Sequence, residues 1–156
     1  MEYNFVSMNK EYAHDIAYNW KYNDIYSFYD ITADEDDLEE FLNEESWNDH
    51  YFVALNEKGE LVGFYSFSFE NEIMWIGFGL KPELTGRKLG ADFVIAGINF
   101  GVKKFNYEKN YIMLAVASFN KRAIRMYENI GFQTVENYMQ KTNGAEFEFI
   151  KMKKCR

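Results

Sequence analysis

Cysteine is nearly missing from this 156-residue chain: Cys155 stands alone, next to the last position. That excludes an internal disulfide and a cysteine cluster for a metal. Histidine is as scarce, and His14 and His50 lie too far apart in sequence to suggest a metal site, so no metal is expected. Proline occurs once, at Pro82, and no Ser/Gly-rich stretch interrupts the chain. Without linker composition, a single domain over residues 1–156 is expected, and the length fits the usual range of about 100–200 residues per domain. Positive charge is in deficit, with 17 Lys+Arg against 25 Asp+Glu and a net charge of −8. A general nucleic-acid binder normally carries a basic stripe to neutralise phosphates, so no nucleic-acid partner is expected. No run approaches the roughly 18 apolar residues needed to span a bilayer. The start, Met1-Glu2-Tyr3-Asn4, lacks the positive region and apolar run of a signal peptide. The expectation is a cytoplasmic protein with no membrane partner.

What the chain does have is apolar material, 47% hydrophobic and 19% aromatic, enough for one core. Residues 3–8 (YNFVSM) read as a first strand, and Tyr12, Ile16 and Trp20 recur at helical spacing across 10–20. The segment 23–31 is ambiguous between loop and helical turn. An acidic helix follows over 34–45, with Leu38, Phe41 and Leu42 as its only apolar stripe. Residues 50–56 and 61–69 read as a hairpin across Glu57-Lys58-Gly59-Glu60, and Glu70-Asn71 turns into a third strand over 72–80. A helix is expected over 88–105, a buried strand over 111–117, and a second helix over 119–130 that stops before Gly131. Two final strands, 132–140 and 145–153, flank Asn143-Gly144, a type I′ hairpin signal. The order is β-α-α-β-β-β-α-β-α-β-β, an α/β layered domain around a mixed sheet.

Two patterns carry chemistry. In the first, strand 72–80 runs through the loop Lys81–Gly90 into a helix. A helix N-terminus presents unpaired N–H groups and a positive dipole end, which suit a phosphate or pyrophosphate. Gly86 and Gly90 let a ligand approach the backbone, and Arg87 and Lys88 add charge. Two cations beside a positive helix end are unfavourable without an anion. The bland alternative is an ordinary β-to-α connection. Gly77 and Gly79 in the preceding strand suggest a bulge or a close backbone approach. Neither a G-x-x-x-x-G-K-[ST] string nor a complete G-x-G-x-x-G is present. In the second pattern, the buried strand leads into SFNKRAIRMYENIGF (118–132), where Asn120 and Tyr127 are seven residues apart and share a helix face. The phenol reads either as one more core aromatic or as a proton donor held over a crevice.

These residues resemble the GNAT superfamily, the Gcn5-related N-acetyltransferases. The family's N-x-x-A-x-x-x-Y-[EK]-x-x-G-F element is met by NKRAIRMYENIGF at Asn120, Ala123, Tyr127, Glu128, Gly131 and Phe132. Its [QR]-x-x-G-x-[GA] loop corresponds to TGRKLG, with Thr85 at the Gln/Arg position, Lys88 at the inner Gly and only Gly90 fitting strictly. The resemblance covers 61–135 and implies a mostly antiparallel central sheet flanked by helices, with an acetyl-CoA-binding core over 61–135 and acceptor-side elements over 1–45. It implies an acetyl-CoA-dependent N-acetyltransferase acting on a small-molecule or peptide amine by direct attack in a ternary complex. The implied roles are pantetheine binding by the backbone of Phe78, Gly79 and Leu80 and by Asn120, with the Gly77/Gly79 region forming a bulge. Thr85, Gly86, Arg87, Lys88, Leu89 and Gly90 would cradle the pyrophosphate. Tyr127 would protonate the departing thiolate. Glu72, with Glu70 behind it, is the candidate base, its alternative being a solvated turn carboxylate.

The acidic stretch 34–45 reads as a solvated helix face or as a field that favours cationic amines. Aromatics nearby (Tyr18, Trp20, Tyr22, Tyr26, Phe28, Tyr29) suit either an apolar pocket or cation stacking. Exposed aromatics leave a homodimer face open. The rival readings are a non-catalytic acyl-CoA-binding sensor and transfer of a larger acyl group.

Overall fold

Strand β3 (Leu61–Glu70) and helix α3 (Gly90–Lys104) interlock through glycines. Alternation along β3 puts Gly63, Tyr65 and Phe67 on one face, while four-residue spacing along α3 puts Phe93, Gly97 and Gly101 on another. The Phe93 ring covers Gly63, the Tyr65 ring covers Gly97 and the Phe67 ring covers Gly101, each where a Cβ would overlap ring atoms. The Tyr65 hydroxyl, carried into the core by this packing, donates to the Phe93 carbonyl at 2.7 Å. Helix and sheet therefore meet backbone against ring, in a single register.

The computed structural model describes residues 2–156. Around this interlock lie β1 (Asn4–Ser7), α1 (Lys10–Asn19), α2 (Glu35–Leu42), β2 (Tyr51–Leu55), β4 (Ile73–Leu80), β5 (Tyr111–Ala117), α4 (Lys121–Asn129), β6 (Phe132–Thr142) and β7 (Ala145–Cys155). Short 3₁₀ turns at Asp24–Tyr29 and Ile31–Ala33 fill the segment that was ambiguous in the sequence. The sheet is 7-stranded in the order β1-β2-β3-β4-β5-β7-β6. Every pairing is antiparallel except β4–β5. On one face, Phe52, Ala54, Tyr65 and Phe67 join Phe93, Ile98 and Tyr127 of α3 and α4. On the other, Val53 joins Ala13, Ile16, Trp20, Phe41 and Trp47, under α1 and α2. No described helix is long and apolar enough to cross a membrane.

The expected α/β architecture and element order are observed, with local differences. The helix expected from residue 88 begins at Gly90, because Lys88 holds φ +62, outside the right-handed helical region. Strands β6 and β7 run on to the turn itself, where Asn143 and Gly144 at φ +50 and +79 supply the type I′ geometry. No bulge forms at Gly77 or Gly79: β3 and β4 pair without a register break from Gly63↔Leu80 to Glu70↔Ile73. These glycines serve packing across that pair, since a Cβ on Gly79 would strike the Phe64 ring and one on Gly77 the Ser66 hydroxyl.

Candidate functional site

The sheet opens at its one parallel junction. Strands β4 and β5 share a single bridge, Trp75↔Met113, and beyond it the end of β4 has no partner on that side. The antiparallel ladder with β3 fixes which peptide groups face the gap. Lys81 N–H donates to Val62 C=O at 2.8 Å, so by alternation Gly79 and Gly77 spend their hydrogen bonds on β3, while Phe78 and Leu80 turn theirs toward β5. The Leu80 carbonyl is taken by the Tyr22 hydroxyl at 2.8 Å. The peptide of Phe78 and the N–H of Leu80 have no strand to pair with there. An edge of this kind is a template for an extended polar ligand.

The gap is the neck of a cavity of about 1060 Å³ that reaches both faces of the sheet. Phe78, Gly79, Leu80, Thr85, Gly86, Lys88, Gly90, Asn120 and Tyr127 all line it, so most residues singled out from the sequence are brought together. Arg87 and Leu89 are absent from the lining. Glu72 is not brought to it either: it sits in the tight β3–β4 turn at φ +68, solvent-exposed and ion-paired with Lys109 at 3.5 Å. At about 3.3 Å per strand residue it lies roughly 13 Å or more from the cavity-lining part of β4. Glu70, at the other side of the same turn, is exposed and outside the lining as well. The carboxylate that does line the cavity is Asp24.

The loop before α3 has the expected backbone character with different charges beside it. Gly86 and Lys88 both have positive φ (+74 and +62), which swings the loop's peptide groups before α3 begins. The N-cap of α3 is Leu89, which offers no side-chain oxygen, so the first N–H groups of the helix lack a side-chain cap. The cations beside this loop, with Lys88, are Arg122 and Arg125 of α4, which line the cavity in place of Arg87. The Arg122 guanidinium lies 4.5 Å from the centre of the Tyr26 ring, and its Nη1 is 3.8 Å from where a Cβ on Gly86 would be. Lys121 and Arg122 occupy the first turn of α4 with no acidic residue among them. A first turn whose only charges are basic opposes the helix dipole unless an anion is bound. The sequence carries this pattern at NKRAIR, as two cations directly after the N-cap asparagine.

Asn120 proves to be the N-cap of α4, its Oδ1 accepting from Ala123 N–H at 3.2 Å, while its Nδ2 donates to the Tyr29 hydroxyl at 3.1 Å. Tyr127 is 7% exposed and packs edge-on against Phe78 and Phe132. Burial, and to a lesser extent the nearby Tyr29, push its phenol above the ordinary value near 10. Burial also raises Tyr29, with partial relief from its hydrogen bonds to Asn120 and to the Ala117 backbone.

The segment 20–31 forms the opposite wall. Trp20, Tyr22, Tyr26 and Tyr29 line the cavity, whereas Phe28 packs on Phe119, Phe147 and Phe149, and Tyr18 faces solvent. Trp20 Nε1 is buried without a hydrogen-bond partner among the described residues. Helix α2 does not line the cavity: its acidic residues are exposed, and Asp34 is its N-cap, accepting from Asp37 N–H and Asn143 N–H.

A parallel junction that splays open, a phosphate-ready loop at the start of α3 and a buried tyrosine from α4 define the class of an acyl-CoA-type transferase. The model of the acetyltransferase (GNAT) family matches residues 16–132. The chain belongs to that family. It is 29% identical over 115 residues to the mycothiol acetyltransferase of Saccharomonospora viridis, a match covering 65% of this chain and 36% of that protein. The chain thus spans about a third of the length of that curated relative. Among solved structures it is similar to the spermidine N-acetyltransferase of Vibrio cholerae in complex with CoA and spermine, with TM-score 0.74 and 19% identity over 98% of this chain and 95% of that one. A GNAT-family acetyltransferase of Bacillus anthracis superposes with TM-score 0.71 at 15% identity, over 97% and 93% of the two chains. These likenesses show the fold.

Proposed function

We propose that the protein binds acetyl-CoA in the β4–β5 gap and transfers the acetyl group to a primary amine by direct attack in a ternary complex. The observation that carries this is the pair of unpaired peptide edges at Phe78 and Leu80, facing a cavity that Tyr127 lines from the other side. The pantetheine arm would extend β4 as a strand-like partner, bonding the Phe78 peptide and the Leu80 N–H. Gly79 contributes by lacking a side chain, not by its peptide, which is paired with Phe64. The pyrophosphate would rest on the loop 85–90 and the first turn of α3, with Lys88, Arg122 and Arg125 supplying charge. On this reading residues 61–135 are the cosubstrate half of a single domain and residues 1–45 the acceptor half.

In the reaction the amine nitrogen attacks the thioester carbonyl, the C–S bond breaks, and sulfur leaves as a thiolate. Tyr127 is protonated at any working pH, because its pKa lies above an already high value. A thiolate, whose thiol has a pKa near 8.5, is a weaker base than a phenolate, so the hydroxyl first hydrogen-bonds the departing sulfur. Its proton passes to the thiolate to give the thiol, the ammonium formed on the attacking nitrogen releases its own proton to solvent, and a proton from solvent restores the phenol. Glu72, exposed and ion-paired, has no path to that nitrogen except through solvent. Asp24, the carboxylate in the cavity lining, would take the amine's proton by way of water.

The sensor reading draws on one observation, the absence of Glu72 and Glu70 from the cavity wall. Turnover decides between the two. Excess acetyl-CoA at about one hundred times its Kd should add about 2.7 kcal/mol of stability in either case. Tyr127→Phe should then cut kcat by about 10²- to 10⁴-fold while leaving that thermal shift intact. Thiol release that survives the substitution unchanged would remove Tyr127 from the mechanism.

A further inference from the structure

The closed end of the β4–β5 junction is built differently from the other ladders of the sheet. Alternation along β4 turns the Met74 peptide toward β5, as it does those of Phe78 and Leu80. With Trp75 opposite Met113 in a parallel pair, Met113 N–H meets the Met74 carbonyl and Ile76 N–H the Met113 carbonyl. The next rung, on the side away from the gap, would join Met74 N–H to the Tyr111 carbonyl. A side chain stands there instead. The Tyr107 hydroxyl accepts from Met74 N–H at 3.1 Å and donates to the Tyr111 carbonyl at 2.6 Å. Tyr107 is buried in the core, so without its hydroxyl both peptide groups would be left unpaired away from water.

Helix α3 puts that hydroxyl in place. Phe105 is its C-cap, and Asn106 takes φ +49, the left-handed conformation in which many helices end. Asn106 N–H donates to the Lys103 carbonyl at 3.3 Å and Tyr107 N–H to the Val102 carbonyl at 2.9 Å, the two bonds of a Schellman cap. Arg156 braces the same segment, with its guanidinium 5.5 Å from the centre of the Tyr107 ring and donating to the Lys109 carbonyl at 2.6 Å. One helix therefore serves both ends of the gap. Its N-terminus follows the loop 85–90, and its C-terminus delivers Tyr107 to the point from which β4 and β5 diverge. Those strands otherwise share a single bridge, so little besides this hydroxyl fixes their spacing at the closed end.

We propose that Tyr107 is a positioning residue for the cosubstrate gap: by standing in for a ladder rung, its hydroxyl sets how far β4 and β5 part toward Leu80. The identity of what fills the gap rests on the acetyl-transfer reading, whereas the role of Tyr107 in holding it rests on the ladder. Two measurements on the full chain separate the two. Amide hydrogen exchange of the ligand-free protein reads the junction directly. Tyr107→Phe should speed exchange at Ile76 and Met113 by about tenfold more than at the amides of β2, a local opening and not a global one. Trp47→Phe is the control, since it removes a bond from an equally buried donor to the Phe41 carbonyl on the other face of the sheet, and it should show no such excess. In the second measurement, calorimetric titration, Tyr107→Phe should raise the Kd for acetyl-CoA about tenfold, within the usual range for coupled sites, and Trp47→Phe should leave it unchanged. If Tyr107→Phe does not fold, Asn106 supplies the comparison. Asn106→Gly keeps the left-handed cap and should match the unsubstituted protein in both measurements, whereas Asn106→Val, strained at that φ, should reproduce the excess exchange and the weaker binding. Excess exchange at the junction, in a protein that never binds acetyl-CoA, overturns the transfer reading and keeps the positioning role. Exchange that rises evenly through the sheet overturns the positioning role even where acetyl-CoA binds and reacts. So does a Kd that Tyr107→Phe raises no more than Trp47→Phe does.

Discussion

Asn120 Nδ2 donates to the Tyr29 hydroxyl at 3.1 Å, tying the aromatic segment of the N-terminal third to the N-cap of α4 across 91 positions of sequence. The same amide's oxygen caps the helix, so one side chain holds both that aromatic segment and the helix that carries Tyr127. Tyr29→Phe removes the first of these bonds together with the hydroxyl's bond to the Ala117 backbone, leaves the cap intact, and should cost about 0.5–1.5 kcal/mol of stability per bond. Asn120→Ala loses the cap as well, worth about 0.5–2 kcal/mol by itself, and should be the more damaging. Urea midpoints of the two variants check the order, and a loss at Tyr29→Phe as large as that at Asn120→Ala would mean that the cap contributes less than expected.

Arg122 and Arg87 separate the proposed phosphate site from the one expected from sequence. Arg122→Glu reverses a cation in the cavity lining, whereas Arg87→Glu acts from outside it. The Kd for acetyl-CoA should rise about tenfold or more for Arg122→Glu and much less for Arg87→Glu. Both effects should shrink as salt shortens the Debye length from about 30 Å at 0.01 M to about 8 Å at 0.15 M. Calorimetric titration at two ionic strengths measures both, and a larger effect at Arg87 would move the phosphates away from α4.

Lys88 carries φ +62, where a non-glycine residue is held at a cost of about 1–2 kcal/mol. Lys88→Gly relieves that cost but adds unfolded-state freedom worth about 0.5–1 kcal/mol. The ligand-free protein should therefore gain up to about 1 kcal/mol, a rise in Tm of about 2–4 °C for a chain of this size. A β-branched replacement such as Lys88→Val should lower Tm instead. If glycine also lowers it, the loop owes its shape to the lysine side chain.

The pH dependence follows from the direction of the Tyr127 shift. A free amine nucleophile with a pKa near 10.4 is scarce at neutral pH, so kcat/KM should climb about tenfold per unit between pH 7 and 9. Tyr127, raised further above 10 by burial, stays protonated over that range and imposes no falling limb. Stability runs the other way. Tyr22, Tyr65 and Tyr127 all have phenols raised by burial. The folded form thus binds protons more tightly, and its advantage is complete below about pH 10 and lost as pH rises beyond. Thermal melts between pH 8 and 11 should show Tm falling only at the alkaline end. A decline in kcat/KM beginning near pH 8 would assign an ordinary or lowered pKa to the acid.

Gly97 gives a stability test of the helix–sheet interlock. In an exposed helix, Gly→Ala would gain about 1 kcal/mol. Here the new methyl would fall inside the Tyr65 ring, and overpacking typically costs about 1–3 kcal/mol. Gly97→Ala should therefore destabilise despite its better propensity, which an equilibrium urea titration would register as a lower midpoint.

Much of the fold was legible in local chemistry. Strand alternation, helical spacing and the Asn143-Gly144 turn are properties of neighbouring residues, and they yielded the element order and the hairpin. Tyr127 and Asn120 were legible because a motif of fixed spacing on one helix survives without knowledge of packing. The sequence by itself also determined that a loop with glycines and cations precedes α3. Other features depend on residues far apart in the chain, and local spacing carries no record of them. The Gly77/Gly79 expectation failed because a glycine's neighbour across the sheet, Phe64 or Ser66, decides whether it bulges or makes room. Glu72 looked near the chemistry by position along one strand, yet an extended strand carries its two ends far apart, and the gap between β4 and β5 opens only at the Leu80 end. Arg122 lines the cavity and Arg87 does not, because the direction of a side chain at a loop depends on backbone dihedrals such as those of Gly86 and Lys88. Only the tertiary structure decided where the negative charge goes. The acidic residues of α2 face solvent, and Asp24 alone among the acids reaches the wall. The reason is that ionised groups stay in water unless a specific partner draws them in.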